Sequence, residues 1–389
     1  MEALILDVPA KTATVKSIPI PSPAPNELLI RVHAIALNPV DALYTFHPLA
    51  LPTQQRTVGS DFAGTVHKLG SSVSSPHLQV GTRVAGFLQG ACSVNDRPGA
   101  FAEYLVVPHD LVWRVPDSMT LESAASVSLC ALTAAQGLFP RLAIRAPFPW
   151  NDEVYRPNGL HESLRVFIYG ASTSLGQYAA QLVRLAAKSS DRPAVLFAAA
   201  SPGRHAMLRA PPYSYDGLVD YRDEEWPGKF LEEQRQARVD YGVDCISEGE
   251  SVKRVSKVVN PTGGMAVFRS RAGKAWTAEE GELPFEPIYG AVWEGLGVEI
   301  EYYGFTVPAS AKAREFTVAF YSFLSNMAGT GLELQPNSIR LMPGGLKNVV
   351  NDGFALLGPG TMGDRSNART EDYMKPISAE KLVYKLVDE

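Results

Sequence analysis

The stretch that most limits what this chain can fold into runs from Tyr169 to Ala187 and is written YGASTSLGQYAAQLVRLAA. The apolar strand pattern RVFIYG leads into it, and an amphipathic helix pattern follows. A turn of small residues between strand and helix lets backbone N–H groups approach a phosphate at the positive end of the helix. We therefore predict a dinucleotide-binding βα unit, although any tight βα turn also favours Gly and Ser.

The residues expected to hold the pyrophosphate form one continuous segment. Ser174 stands where glycine is commoner, and its hydroxyl can itself bond a phosphate oxygen. The predicted segment is Gly170, Ala171, Ser172, Thr173, Ser174, Leu175 and Gly176.

The end of the next predicted strand indicates which cofactor is bound. NAD sites usually place an Asp or Glu there to bond the ribose 2′-OH, but this strand ends FAAASPGRHAM, without an acid. Ser201 and Arg204 suit a 2′-phosphate, which favours NADPH, unless Arg204 merely faces solvent. Tyr221, after the third strand, is either a further cofactor contact or an edge tyrosine.

The rest of the chain divides into two kinds of pattern. Up to about residue 115, short strands alternate with Gly/Pro turns, which indicates a small barrel-like unit. From Leu121 the pattern predicts one long helix to Phe139, a proline-rich insertion, and then alternating strands and helices. That alternation is typical of a parallel sheet with crossover helices. Near the end, PGGLKNVVNDGFALL predicts a helix and EKLVYKL a last strand.

Composition excludes several classes of protein. The formal net charge is −5, and no cluster of Lys or Arg indicates a nucleic-acid or membrane partner. The three cysteines are far apart, without a C-x-x-C pair, and the N-terminal segment lacks a signal-peptide pattern. We expect a cytoplasmic protein with no membrane span.

Several motifs in one order resemble the medium-chain dehydrogenase/reductase superfamily, in its zinc-free quinone and enoyl reductase branch. The trans-acting enoyl reductases of fungal polyketide synthases are the most similar group, sharing the Ser/Thr-rich turn, the proline-rich insertion before it and the SP after the second strand. The motifs are ALNPVD, VGSDFAGTV, VGTRVAGF, GAFAEYLVVP, ESAASVSLCALTAA, YGASTSLGQYAAQL and EKLVYKL.

The resemblance implies an α/β fold, with a GroES-like β-barrel domain and a Rossmann domain whose doubly wound sheet is parallel. We expect residues 1–130 in the first, residues 131–335 in the NADPH-binding domain, and residues 336–389 to return to the substrate domain. It also implies an active site in the cleft between the domains.

The motif that carries a His–Glu pair in zinc alcohol dehydrogenases has Ser60 and Asp61 here. The clustered cysteines of their structural zinc are absent as well, and no two histidines have H-x-x-x-H spacing. The expectation is hydride transfer without a metal.

The resemblance also implies residues beside the nicotinamide. Pro39, Val40 and Asp41 match one wall of its site, although Asp41 could instead be a helix N-cap or turn residue. The remaining matches are Arg269 and Ser270 at a strand end, and Leu382 and Val383 in the last strand.

Substrate and catalytic residues follow from the same comparison. Tyr44 and Thr133 are the catalytic candidates, but solvent could supply the proton and Thr133 could be structural. The apolar positions could equally be core, and the tyrosines could be packing residues. The candidate substrate residues are Gln136, Leu138, Phe139, Leu142, Glu301, Tyr302, Tyr303, Gly304 and Phe305.

The activity implied is NADPH-dependent 1,4-reduction of a carrier-bound enoyl thioester, with a polyketide synthase as partner. Arg141, Arg145 and Arg156 could form a basic rim for an acidic carrier domain, or an ordinary solvated loop. A free-standing quinone or alkenal reductase, or a cofactor-binding protein without turnover, are the alternatives. Two prolines near the expected dimer edge favour a monomer.

Overall fold

The computed structural model describes residues 1–49, 51, 55–150, 163–302, 304–327, 330, 333–365 and 368–387. Contacts divide the chain into two compact units. Unit 1 comprises Met1–Leu129 and Trp293–Glu389, and unit 2 comprises Cys130–Val292.

Strands β1 to β7 and helices α1 and α2 belong to the first part of unit 1. Helix α3 (Ser128–Gln136) crosses into unit 2. In chain order the elements of this first part are β1 (Glu2–Asp7), β2 (Thr12–Ser17), β3 (Glu27–Ala36), α1 (Pro39–Phe46), β4 (Asp61–Leu69), β5 (Arg83–Phe87), β6 (Tyr104–Pro108), β7 (Val112–Arg114) and α2 (Leu121–Ala125).

Unit 2 alternates strands and helices. A π-helical turn, Gly137–Arg141, follows α3 directly. The other elements are β8 (Leu164–Tyr169), α4 (Ser174–Ser190), β9 (Ala194–Ala200), α5 (His205–Arg209), β10 (Gly217–Asp220), α6 (Trp226–Glu233), β11 (Val239–Asp244), α7 (Ser251–Val258), β12 (Val259–Val267) and β13 (Ile288–Tyr289).

The described strands of unit 2 form one parallel sheet in the order β10-β9-β8-β11-β12-β13. This is the Rossmann order, in which the chain starts in the middle and then winds outwards on both sides. The apolar residues Phe167, Val243 and Val267 are almost completely buried in these strands, as expected for a sheet covered on both faces. The predicted doubly wound parallel sheet is confirmed.

The chain re-enters unit 1 after Val292. The elements of this second part are β14 (Ile300–Tyr302), β15 (Phe305–Val307), α8 (Ala311–Asn326), β16 (Ile339–Met342), α9 (Ala355–Leu357) and β17 (Lys381–Lys385). The main sheet of unit 1 has the order β16-β17-β3-β4-β5-β7, with β6 pairing β3. The last strand therefore lies beside β3, with Val383 opposite Ala36.

The domain limits differ from the prediction at one end. The first break, between Leu129 and Cys130, is one residue from the predicted one, but the second lies after Val292 rather than after residue 335. Helix α8 accounts for this difference, because its Arg314 donates to both carboxylate oxygens of Asp110, at 2.6 and 3.2 Å. A bidentate pair of this kind ties the helix to the strands of the first unit.

Two predicted helices are broken into shorter pieces. The segment from Leu121 to Phe139 forms α2, α3 and the π turn, which contains Pro140. Helix α2 stops at Ser126, whose hydroxyl and N–H both donate to the carbonyl of Ser123, at 2.7 and 3.1 Å. The C-terminal helix is 3₁₀ and π turns before the short α9. None of the helices in the described ranges has the length and apolar character that a membrane crossing needs.

Candidate cofactor site and a buried polar network

The turn between β8 and α4 is shaped by Gly170 and Thr173. Gly170 has φ of +75°, a left-handed conformation that side chains disfavour. Thr173 caps α4, because its hydroxyl oxygen accepts the N–H of Gly176 at 3.1 Å while donating to the carbonyl of Gly170 at 2.8 Å. These contacts fold the backbone back over the end of β8.

Gly176 permits the close approach of helix to strand. A Cβ at this position would lie 2.4 Å from the carbonyl oxygen of Gly170 and 2.7 Å from the Cα of Ala171. Both atoms belong to the backbone and cannot rotate away. Any residue larger than glycine would therefore push α4 off the turn.

Three amides of the turn are open to a ligand. The N–H groups of Gly170, Ala171, Thr173 and Gly176 are bonded within the turn or to β9. Among the described residues, no acceptor takes the N–H of Ser172, Ser174 or Leu175. Unpaired amides at the start of a 17-residue helix are the donor set that a pyrophosphate requires. The residues present therefore fit the predicted dinucleotide phosphates.

The sheet register brings the segments that contain Ser201, Arg204 and Tyr221 to the same edge of the sheet as the turn. Tyr169 lies opposite Ala199 in β9, and Ala200 lies opposite Asp220 in β10. The turn that follows β8, the segment that follows β9 and the residue that follows β10 are thus neighbours at the carboxyl edge, where such sheets bind ligands.

The segment after β9 is a short 3₁₀ turn. The N–H of Arg204 donates to the carbonyl of Ser201 at 2.8 Å, and a ring nitrogen of His205 lies 3.2 Å from the carbonyl of Ala200. Tyr221 is 37% exposed, and the guanidinium of Arg222 lies 4.6 Å from the centre of its ring. The segment after β9 thus offers the Ser201 hydroxyl and the Arg204 guanidinium without a carboxylate of its own, whereas the neighbouring β10 ends in Asp220.

Arg269 and Ser270 lie beyond β12, on the other side of the turn. Arg269 pairs with Glu248 at 2.6 Å, and the hydroxyl of Ser270 accepts the N–H of Gly273 at 3.1 Å. Both side chains thus have contacts that shape the surrounding loops, and their cofactor role stays a prediction.

Asp244, at the end of β11, is a buried acid that the sequence reasoning did not single out. Its carboxylate accepts the hydroxyl of Ser251 at 2.5 Å and the N–H groups of Ile246 and Ser247. Burial raises the pKa of Asp244 to about 6, against the lowering effect of these hydrogen bonds. The contacts join the end of β11 to the start of α7.

The predicted apolar substrate residues are interior in unit 2. Leu138 and Phe139 are at most 1% exposed and Leu142 is 4% exposed, which agrees with the core alternative. Gln136 is also buried, and its Nε2 donates to the carbonyl of Val292 at 3.3 Å. Thr133 lies half-buried in α3.

Unit 1 contains a second cluster, which we name the Asp41–Asp61 network: Asn38, Asp41, Ser60, Asp61 and Lys381. Asp41 accepts the Ser60 hydroxyl at 2.5 Å and the N–H of Asn38 at 2.8 Å. Asp61 accepts the side-chain amide of Asn38 at 2.9 Å and the ammonium of Lys381 at 2.6 Å. All five residues are at most 4% exposed.

Burial dominates the electrostatics of this network. Desolvation raises the pKa of Asp41 to about 7, with a smaller raising effect from Asp61, and the hydrogen bonds from Ser60 and Asn38 act in the opposite direction. Asp41 is the third residue of α1 and its carboxylate bonds the amide of Asn38 before the helix. It therefore stabilises the start of the helix from its third position, while Asn38 rather than Asp41 is the N-cap, and the cofactor role of Asp41 stays a prediction.

The other predicted cofactor and catalytic residues of unit 1 lie on two elements, α1 and β17. Pro39 and Val40 open α1, and Tyr44 lies half-buried in the same helix. Leu382 and Val383 are buried in β17, immediately after Lys381.

The hairpin of β14 and β15 carries the remaining predicted substrate residues. The rings of Tyr302 and Phe305 stack with their centres 4.7 Å apart, and Gly304 has φ of +93° in the turn. Phe305 is 43% exposed, and Glu301 is exposed as well. Tyr303 and Arg156 lie outside the described residues.

Sequence reasoning missed Asn38 and Lys381 of the network, and Asp244, Gln177 and Tyr213 in unit 2. A lysine at the start of the apolar strand KLVYK was the one local signal for an internal charge, because such strands rarely bury an unpaired cation. The roles of the others depend on partners that only folding supplies.

Comparison with known proteins agrees with both units. Residues 24–117 match the model of the alcohol dehydrogenase GroES-like domain. The trans-enoyl reductase caaB of Aspergillus niger is 31% identical over 85% of this chain and 87% of its own length. The chain belongs to the trans-enoyl reductase family. Another trans-enoyl reductase, traG of Penicillium crustosum, is 29% identical over 89% of this chain and 91% of its own.

Solved structures agree with this family's fold. An alcohol dehydrogenase superfamily protein from Novosphingobium aromaticivorans has a TM-score of 0.71 at 20% identity, over 100% of both chains. The CurK enoyl reductase has a TM-score of 0.69 at 18% identity, covering 99% of this chain and 98% of its own. Mycobacterial Rv1454c complexed with NADPH has a TM-score of 0.65 at 19% identity, covering 99% and 100%. The predicted superfamily fold is confirmed, and the relatives support an oxidoreductase.

Proposed function

We propose that this chain is an NADPH-dependent enoyl reductase that works in trans on carrier-bound polyketide intermediates and reduces their α,β-double bond. The observation that carries the cofactor part is the turn with open amides at Ser172, Ser174 and Leu175, next to a strand end with Ser201 and Arg204 and no acid. The names of the relatives support the substrate class.

The turn between β8 and α4 and the segment after β9 would bind different parts of the cofactor. The three open amides would donate to the pyrophosphate, where the α4 dipole adds to their effect. Arg204 would pair with the 2′-phosphate, helped by the hydroxyl of Ser201, and Tyr221 would line the adenosine end. Because NADH has no 2′-phosphate, this ion pair would raise the affinity for NADPH relative to NADH.

When bound, NADPH supplies a hydride to the β-carbon of the enoyl thioester. The negative charge that then develops on the thioester oxygen needs a hydrogen-bond donor, and we assign this role to the Thr133 hydroxyl. A proton must reach the α-carbon, and the Tyr44 hydroxyl or a water molecule would deliver it. The conjugated carbonyl already accepts charge, so the alkene needs less help than an alcohol does.

The Asp61 contacts support reduction without a metal. One carboxylate oxygen accepts the N–H of Leu129 at 2.9 Å, and the other accepts both Asn38 and the ammonium of Lys381. A metal ion would have to displace a bound cation from this carboxylate. Zinc-binding relatives are expected to use the equivalent motif for a His–Glu pair, which this chain lacks.

The proposed partner is the carrier domain of a polyketide synthase. Arg145 is exposed and could face such an acidic surface, whereas Arg141 points back into unit 2, where its Nη2 lies 3.5 Å from the carbonyl of Ala291. We therefore place the recognition role on Arg145 rather than on Arg141.

The test is an NADPH oxidation assay with crotonyl and longer α-methyl enoyl thioesters, each offered free and on a carrier domain, beside a simple quinone. We expect the carrier-bound chains to turn over fastest. Turnover of the quinone alone would overturn the proposal in favour of a free-standing reductase. Cofactor binding without oxidation by any substrate would indicate a non-catalytic protein.

The proton donor is tested by Tyr44→Phe in the same assay. If Tyr44 donates the proton, kcat should fall roughly 100-fold or more, with little change in the affinity for NADPH. An unchanged kcat would assign the proton to solvent.

A further inference from the structure

A series of hydrogen bonds connects the phosphate turn, residues 170–176 between β8 and α4, with the loop between α5 and β10 in unit 2. The hydroxyl of Tyr213 donates to Oε1 of Gln177 at 2.7 Å, and Nε2 of Gln177 donates to the carbonyl oxygen of Ser172 at 3.0 Å. Gln177 is 1% exposed, so water does not compete for its amide. Tyr213 lies between α5 and β10, outside every segment that the sequence motifs assign to the cofactor.

The direction of each bond follows from chemistry. The carbonyl of Ser172 can only accept, so Nε2 of Gln177 must face it, and Oε1, which carries no hydrogen, then accepts from the phenol of Tyr213. Burial raises the pKa of Tyr213 above its usual value, which keeps the phenol protonated. Without the phenol, Oε1 of Gln177 would lose this hydrogen bond, and the side-chain amide would be held only through its contact with the Ser172 carbonyl.

Ser172 is where orientation matters for binding. Its carbonyl and the N–H of Thr173 belong to one peptide plane, which is held at the other side by Thr173 donating to Gly170 at 2.9 Å. This plane lies between the two peptide planes that carry the open amides of Ser172 and Ser174, so holding it limits how far those amides can turn. The Gln177 contact therefore acts on the donor set itself.

Arg184 fixes the loop that presents Tyr213. It lies seven residues after Gln177 in α4, which places both side chains on the same face of the helix. Its guanidinium donates to the carbonyls of Tyr213 and Ser214 and pairs with Asp216 at 3.1 Å. Helix α4 thus holds the loop at two levels, one at its start and one two turns later.

We propose that Tyr213 is a positioning residue for dinucleotide binding, which acts through Gln177 on the Ser172 peptide and does not itself touch the cofactor. This inference rests on the proposed function, because it concerns the same phosphate turn. It adds a determinant of affinity that is common to NADPH and NADH, since both contain the pyrophosphate.

The test compares Tyr213→Phe with Tyr215→Phe. Tyr215 lies two residues later, is 4% exposed, and its hydroxyl has no hydrogen-bond partner among the described residues. Both variants lose one hydroxyl from the same loop, from a half-buried side chain at Tyr213 and a buried one at Tyr215, but only Tyr213→Phe breaks the series of hydrogen bonds to Ser172. Isothermal titration with NADPH and with NADH measures the Kd values, and thermal unfolding without cofactor measures stability.

We expect Tyr213→Phe to raise Kd for both cofactors by the same factor, roughly three- to tenfold, as the loss of one net hydrogen bond implies. Tyr215→Phe should stay within about twofold of the parent. The kcat at saturating NADPH should not change for either variant, whereas KM for NADPH should rise for the first. Equal Kd values for the two variants would overturn the proposal, as would a rise confined to NADPH.

A second variant keeps the test valid should Tyr213→Phe fold poorly. Gln177→Met retains the length of the side chain but cannot form hydrogen bonds with Tyr213 or Ser172. It should therefore weaken the binding of both cofactors to a similar extent. In the Gln177→Met background, Tyr213→Phe should have no further effect on Kd, and additive losses would contradict an action through Gln177. If the parent chain bound neither cofactor, the proposed function would fail first, and this inference with it.

Discussion

The ammonium of Lys381 lies 2.6 Å from a carboxylate oxygen of Asp61, 320 residues earlier in the chain, and both side chains are at most 4% exposed. The pair joins the first residue of β17 to the first residue of β4. Lys381 also donates to the carbonyl of Ser126 at 3.3 Å, where α2 ends. Three parts of unit 1 that are remote in sequence therefore share one buried charge pair.

Removing the ammonium group of Lys381 should lower the free energy of unfolding. Lys381→Met leaves the carboxylate of Asp61 buried without its counter-ion, and we expect a loss of roughly 3–5 kcal/mol in the free energy of unfolding. Lys385→Met is the matched control, since this lysine of the same strand pairs with Glu122 at 3.2 Å while 40% exposed. It should cost about 1 kcal/mol or less in urea unfolding. Equal losses for the two variants would show that the buried pair contributes nothing beyond a surface pair.

Asp41 should make stability depend on pH. Its pKa is raised from 3.8 to about 7 by burial, so between these values the folded chain binds a proton that the unfolded chain has lost. The resulting stabilisation is fully present below the unfolded pKa and disappears as the pH rises through about 7, with a limiting slope of about 1.4 kcal/mol per pH unit.

Asp41→Asn should remove this slope. Urea unfolding between pH 4 and pH 8 should show the parent losing stability relative to the variant up to about pH 7, with a constant difference above it. Asp117→Asn, at a fully exposed carboxylate, should leave the profile of the parent unchanged. A parent and an Asp41→Asn variant with parallel profiles would rule out a raised pKa.

Arg204 should decide the cofactor preference. Arg204→Ala removes the charge proposed to meet the 2′-phosphate, so Kd for NADPH should rise roughly 10- to 100-fold while Kd for NADH stays the same. Arg209→Ala, at an exposed arginine that ends α5, is the control and should change neither value. Our assignment of the 2′-phosphate would not survive an unchanged ratio of the two Kd values.

Gly176 should tolerate no side chain. The Cβ of Gly176→Ala would meet backbone atoms at 2.4 and 2.7 Å, so the start of α4 must shift. We expect a loss of roughly 1–3 kcal/mol in unfolding free energy, together with weaker NADPH binding in titration.

Gly228→Ala is the control for that substitution. A Cβ at this position in α6 meets no atom within 4 Å, so the change should leave binding unaltered and stabilise by up to about 1 kcal/mol. Unchanged stability and binding in Gly176→Ala would mean that the turn adapts at no cost.

Local patterns predicted the framework of this protein. The strand RVFIYG, the cap at Thr173 and the glycines at 170 and 176 act on neighbours a few residues away, so their consequences can be worked out from short stretches. The parallel sheet with crossover helices and the position of the phosphate turn were predicted in this way, whereas the superfamily was inferred from the resemblance of seven motifs in one order. The prediction of one long helix from Leu121 to Phe139 was wrong, because the Ser126 hydroxyl bonds the carbonyl of Ser123 where α2 ends, and the pattern does not show that this contact is formed.

The contacts that hold the candidate sites needed the fold. Nothing local to Lys381 indicates Asp61, and nothing local to Tyr213 indicates Gln177, 36 positions away. Apolar periodicity specifies which face of a strand or helix is buried, and the turn residues specify where the backbone reverses. Which polar groups become partners in the interior depends on how those elements pack, because buried polar groups must be satisfied by whatever the tertiary arrangement brings within reach.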